Sequence, residues 1–138
     1  MADFNWGYYL SLAREIETGA YFTAPADLYQ AAIRTGISRA YYSAFHLAKD
    51  YAESKGATFT KNGTHQQVID FFKTKWVNFL PGTCKPICKE IKNQLYRIRK
   101  LRHQADYDCS CWFTSSKDVT SVITGANTIV AQIAKLPK

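Results

Sequence analysis

Leu95-Tyr96-Arg97-Ile98-Arg99-Lys100-Leu101-Arg102-His103-Gln104-Ala105-Asp106-Tyr107-Asp108 is the most basic stretch of the 138-residue chain, and it continues a helical apolar stripe. Ile91, Leu95, Ile98 and Ala105 recur at helical spacings, which at about 3.6 residues per turn places them on one side of a helix. Arg102 lies on that same stripe. A guanidinium there is expected to be at least partly buried and to need an acceptor, and Asp106, one turn on, is its local partner. The pair fits a structural clasp closing a helix and a ligand-contacting site equally well, because ion-pair networks and functional sites share this pattern.

Working outward, the same periodicity gives five helical segments and no strands. Phe4 to Glu17 carries Trp6, Tyr9, Leu10, Ala13 and Ile16 on one face, and Thr18-Gly19 ends it. The longest helix begins near Pro25, after Thr23 or Ala24, with Asp27 favourable near its positive end. Its apolar series runs from Leu28 through Ala32, Ile33, Ile37, Ala40, Tyr41, Ala44, Phe45, Leu47, Ala48 and Tyr51 to Gly56. Gly36 within it costs about 1 kcal/mol relative to Ala, which suits a kink or a close helix crossing. The opposite side offers Arg39, Tyr42, Ser43, His46 and Asp50, a set of donors, an imidazole and a ring that fits a cleft wall as well as a solvated face.

Lys61-Asn62-Gly63-Thr64 is a turn signal with Thr64 as a candidate cap. His65 to Leu80 follows as an aromatic amphipathic helix with Val68, Ile69, Phe72, Trp76, Phe79 and Leu80 inward, broken by Pro81-Gly82; His65 is expected as an exposed first-turn residue. The basic helix ends at Asp108. A last helix, capped by Ser115 or Ser116, buries Val119, Val122, Ile123, Ala126, Ile129, Val130 and Ile133.

At 138 residues, 46% hydrophobic and 14% aromatic, the chain is expected to form one all-α domain over residues 1–138. Met1 to Trp6 shows no basic region followed by an apolar run, and no apolar stretch approaches membrane-spanning length, so the expectation is a cytoplasmic protein with no membrane association. The formal net charge is +7, and between Lys85 and Arg102 seven basic residues face the single acid Glu90. Such a concentration attracts phosphate-bearing partners, nucleic acid first. Cys84 and Cys88 are separated from Cys109 and Cys111 by a helix of roughly 25 residues, nearly 40 Å at about 1.5 Å per residue, too far to share one ion. Neither spacing is a common zinc motif, so no metal and no cofactor is expected.

Ser38-Arg39-Ala40-Tyr41-Tyr42-Ser43-Ala44-Phe45-His46, together with Arg102-His103-Gln104-Ala105-Asp106-Tyr107-Asp108, resembles the HEPN superfamily (higher eukaryotes and prokaryotes nucleotide-binding domains), in its small bacterial branch. The likeness covers roughly Ala24 to Asp108. It implies an antiparallel helical bundle, homodimerisation, and roles in RNA cleavage, toxin–antitoxin pairs or antiviral defence. The nuclease members carry an Arg followed after four to six residues by His. Here Arg102 is followed at that distance by Tyr107, and a phenol with a pKa near 10 is a poor general base at neutral pH. Arg97 with His103 is the other match, but about 120° separates those positions on a regular helix.

The expected site therefore comprises Arg102, His103 and Tyr107, or Arg97 with His103, as catalytic candidates. Arg39, Tyr42, His46, Arg97, Arg99, Lys100 and Asp106 are the candidates for holding RNA or a nucleotide. Binding is expected ahead of cleavage, and whether the chain is a metal-independent endoribonuclease stays open. The alternative from a different class is a non-catalytic module paired with a nucleotidyltransferase antitoxin or a larger defence effector, with Tyr107 or Tyr96 as tyrosines that the resemblance implies for modification with AMP.

Overall fold

A computed structural model describes residues 4–19, 26–73, 80–113 and 116–138, with only the backbone at 26 and 27. The expectations at Thr23, Ala24, Pro25, Trp76, Phe79 and Ser115, and for the side chain of Asp27, lie outside the described residues. Within them the chain forms α1 (Gly7–Thr18), α2 (Ala26–Ser54), α3 (Thr64–Phe71), α4 (Lys85–Tyr107) and α5 (Lys117–Ala134), with a 3-10 turn at Gly82–Cys84 before α4 and no strand.

The bundle is built around α2, which packs against α1, α4 and α5, while α4 and α5 also pack together. The reason is compositional: α2 buries Ala32, Ile33, Ile37, Ala40, Tyr41, Ala44, Phe45, Ala48 and Ala52, and the small residues in that series let neighbouring helices approach closely. Gly36 sits at such an approach. A Cβ added there would lie 3.1 Å from Val119 Cγ1 and 3.4 Å from Ile16 Cγ2, so α1 and α5 both meet α2 at this point. Gly125 of α5, which the apolar pattern does not flag, is tighter still: its added Cβ would fall 2.6 Å from Ile98 Cγ2 and 2.6 Å from Arg97 Nη2.

On α4 the stripe Cys88, Ile91, Leu95, Ile98, Arg102 and Ala105 is buried throughout, arginine included. Two other apolar positions depart from the sequence pattern. Leu28 and Val130 are exposed, because each lies at the edge of its helix's inward arc rather than at its centre.

Helix ends also differ in mechanism from expectation. Asn5 starts α1, its side-chain oxygen accepting from Gly7 N–H at 2.9 Å. Gly63, with φ of 76°, precedes α3, and the Thr64 hydroxyl donates backward to the carbonyls of Thr60 and Lys61 instead of capping the helix. Ser116 makes no side-chain cap on α5. The third helix is shorter than its periodicity predicts. Its last turn closes through Phe72 N–H to Ile69 O and Lys73 N–H to Asp70 O, a tightening that ends the α-helical ladder after eight residues, and Leu80 lies in a bend.

Two side chains of α2 hold the segment after α4. Arg34 donates to the carbonyls of Gln104, Ala105 and Asp108 at 3.0–3.1 Å and to that of Cys111. Buried Gln30 accepts from Phe113 N–H at 3.2 Å and donates to the Phe113 carbonyl. Gln104 O also accepts from Asp108 N–H and Asp108 O from Cys111 N–H, so the guanidinium adds to those bonds and supplies a partner for the Ala105 carbonyl near the helix end.

Candidate ligand cleft between α1, α2 and α4

The two stretches that carry the HEPN resemblance, more than fifty positions apart in the chain, meet at one place. The Ser38 hydroxyl donates to Asp106 Oδ2 at 3.3 Å, and Arg39 Nη2 donates to Ser38 Oγ at 3.1 Å. These groups open onto a cleft of about 500 Å³. Trp6 and Tyr9 line it from the start of the chain, Ser38, Arg39, Tyr42 and His46 from α2, and Asp106 and Tyr107 from the end of α4. Positions 39, 42 and 46 share a helix face by their three- and four-residue spacing, which is why α2 can present all three together.

Arg39 is packed between rings. Its guanidinium carbon lies 4.5 Å from the Tyr9 ring centroid and 5.3 Å from that of Tyr42, a cation held against π faces at the mouth of a concave surface. His46 stacks on Trp6 with centroids 3.4 Å apart and planes 11° from parallel. Burial, with Lys49 adding to it and Glu53 opposing, pushes the His46 pKa down to about 4, so the imidazole is neutral at pH 7.

Arg102 lies beneath the cleft rather than on its surface. Only 5% exposed, it places its guanidinium carbon 5.0 Å from the Tyr41 ring, 5.4 Å from Tyr42 and 5.7 Å from Tyr107. Nη1 is 3.7 Å from Asp106 Oδ2, and Nε is buried with no acceptor among the described residues. The expected Arg102/Asp106 pair thus exists, with three tyrosine rings as the larger part of the arginine's surroundings. Behind it, the fully buried Tyr41 shares a 2.6 Å hydrogen bond with Nδ1 of His65. Burial raises the Tyr41 phenol well above its usual range, against the pull of Arg102 and Arg99, so the hydroxyl keeps its proton in this contact. Burial first, then Arg102 and Arg99, hold the His65 pKa down at about 4. His65, expected as an exposed turn residue, is instead half-buried and stacked on Phe45 with centroids 4.2 Å apart.

The other expected site residues do not line this cleft. Arg97 is committed to α5, donating to Ser121 Oγ at 2.6 Å and Ser121 O at 3.1 Å as well as to Gln94. Arg99 donates to Gln66 at 2.8 Å, and Lys100 lies 4.5 Å from the Tyr96 ring. His103 is exposed, its ring 5.1 Å from that of Tyr107, and no described contact joins it to Arg97. The excess positive charge of α4 is therefore split between buried, α3-facing, α5-facing and solvent-facing positions.

Sequence reasoning placed Arg39, Tyr42, His46, Asp106 and Tyr107 as candidates, and all five line the cleft. It missed Trp6, Tyr9 and Ser38 as lining groups. Trp6 and Tyr9 were assigned to a buried face by their spacing, and spacing does not say that this face ends at a cleft. Among the described residues no group of three metal-ligating side chains comes together, and Cys84 and Cys88 are buried while Cys109 is exposed. Among the described residues no helix is long and apolar enough to cross a membrane. No family model matches the chain, and no curated protein or solved structure matches it either.

Proposed function

We propose that this protein binds RNA or a nucleotide in the cleft around Arg39, as an HEPN-like member of a toxin–antitoxin or antiviral defence system. The observation that carries the reading is the placement of Arg39 between Tyr9 and Tyr42 at the edge of an aromatic cleft. Single-stranded nucleic acid is held by stacking of bases on rings together with cations for phosphate, and both are present here within one concavity. The meeting of Ser38-to-His46 with Arg102-to-Asp108 around Arg102, Ser38 and Asp106 supports the HEPN assignment, since the resemblance rests on those two stretches.

Binding is the stronger reading than cleavage. His46, the imidazole that lines the cleft, takes up a proton only near pH 4 and is a weak base above it. The test is titration of single-stranded RNA against the protein at several salt concentrations, with Arg39→Ala in parallel. Affinity that falls steeply with salt and drops in the variant supports the reading; no binding at low ionic strength, or none lost in Arg39→Ala, overturns it. RNA incubated in EDTA with 3′ ends mapped separates the enzyme, which would leave cyclic phosphates, from the binder.

A homodimer, or a complex with an antitoxin or effector protein, has its own supporting observation. Phe4, Tyr8 and Leu12 are exposed at four-residue spacing, and Phe4 continues into an apolar groove of about 310 Å³ lined also by Leu10, Leu47 and Val130. Light scattering at micromolar concentration, repeated on Leu12→Glu, distinguishes self-association from a monomer that awaits a different partner.

A further inference from the structure

We infer that the cleft reads the base of its nucleotide and selects guanine, an inference that rests on the nucleotide-binding reading above. The cleft is cationic and aromatic, yet α4 sets a carboxylate, Asp106, into its wall. Arg102 and Ser38 hold it from behind, and a carboxylate repels phosphate, so the part of a nucleotide that its open side suits is an edge bearing N–H donors.

Asp106 is built as a fixed acceptor. Its Oδ2 receives the Ser38 hydroxyl at 3.3 Å and faces the buried Arg102 guanidinium at 3.7 Å, which anchors the group from behind. The side chain stays 24% exposed, and no described hydrogen bond reaches Oδ1. An ionised carboxylate offers about four lone-pair sites on two oxygens, so both oxygens remain able to accept a parallel pair of N–H groups. Among the four RNA bases only guanine presents two adjacent donors, N1–H and the N2 amino group, on its Watson–Crick edge. Adenine and cytosine place one amino group beside an acceptor, and uracil has a single N–H between two carbonyls, each of which would confront the carboxylate. Tyr107, exposed at the cleft wall, supplies a ring for the base, and Arg39, one hydroxyl bridge away from Asp106 through Ser38, is the cation for the phosphate.

The test uses the full chain and four mononucleotides, GMP, AMP, CMP and UMP, with IMP as the guanine analogue lacking the N2 amino group, titrated at low salt. The expected result is GMP binding about tenfold or more tighter than AMP, CMP or UMP, with IMP between, the discrimination typical of one bidentate pair. Asp106→Asn should erase the preference for GMP over AMP, CMP and UMP. Equal affinity for all four nucleotides overturns base selection while leaving nucleotide binding intact. Binding of none of them, nor of a guanine-containing single-stranded RNA, overturns the underlying reading as well. A folded Asp106→Asn that keeps the preference removes Asp106 from the role. If that variant does not fold, the comparison of GMP, IMP and AMP on the unaltered protein decides alone.

Discussion

The Tyr41 hydroxyl meets Nδ1 of His65 at 2.6 Å, joining the middle of α2 to the first turn of α3 directly behind Arg102. The two partners are not equivalent. Tyr41 is fully buried and His65 half-exposed, so the consequence of breaking the bond depends on which side is removed.

Tyr41→Phe leaves a half-buried imidazole nitrogen that water can still reach, and should cost about 1–2 kcal/mol. His65→Ala strands the buried hydroxyl and also removes a ring stacked on Phe45, so it should cost more, about 2–4 kcal/mol. Urea unfolding of both variants checks the order; equal losses would show that the bond is not what joins the two helices.

Two depressed histidines give the fold a defined acid sensitivity. His46 and His65 titrate near pH 4 in the folded chain against an ordinary 6.5, so between those values the unfolded chain binds more protons than the folded one. Their contribution to stability is full above about pH 6.5 and is lost as pH falls toward 4. Melting temperature should be flat from pH 8 to 6.5 and decline below, and His65→Gln should shallow that decline.

How far the sequence carried these conclusions varied by element. The α4 stripe was legible in full: Ile91, Leu95, Ile98, Arg102 and Ala105 are all buried, and the burial of Arg102 followed from its register alone. The all-helical character and most of the cleft wall on α2 were legible for the same reason, a strong three- and four-residue periodicity. Periodicity names the inward face of a helix and not its neighbour. It therefore missed the Tyr41–His65 bond and the Trp6–His46 stack, which join segments about 24 and 40 positions apart, and it took Arg97 and Arg99 as ligand-holding candidates although Ser121 and Gln66 engage them. The length of α3 was misjudged because apolar spacing continued past the point where its hydrogen bonding tightens.

Arg102 and Arg39 should separate cleanly on mutation. Arg102→Ala removes a buried side chain packed on three tyrosine rings and leaves Asp106 without its cation; because that carboxylate is partly hydrated, the loss should be about 2–4 kcal/mol. Arg39→Ala should cost less than about 1 kcal/mol and weaken RNA binding. Thermal melts and RNA titrations run side by side decide this; a stable Arg102→Ala would mean that the rings, not the cation, hold this corner together.

The two tight glycines make a graded pair. Gly125→Ala forces a methyl into Ile98 and the Arg97 guanidinium and should destabilise by about 1–3 kcal/mol. Gly36→Ala meets Val119 at 3.1 Å and Ile16 at 3.4 Å, looser contacts than those at Gly125, and should cost less, with improved helix propensity offsetting part of the crowding. Melting temperatures in that order would confirm that α4 and α5 meet more closely than α2 and α5.

Arg34 directs its donors to the carbonyls of Gln104, Ala105, Asp108 and Cys111, and Gln30 pairs with the main chain of Phe113. Carbonyls are supplied by every amino acid. Both clamps are therefore indifferent to the identity of the residues they grip, and sensitive only to the path that the chain takes. Substitutions along that stretch can alter what the cleft recognises, at Asp106 and Tyr107 above all, while the wall carrying them keeps its place; the fold has separated the lettering of its site from the scaffolding that presents it.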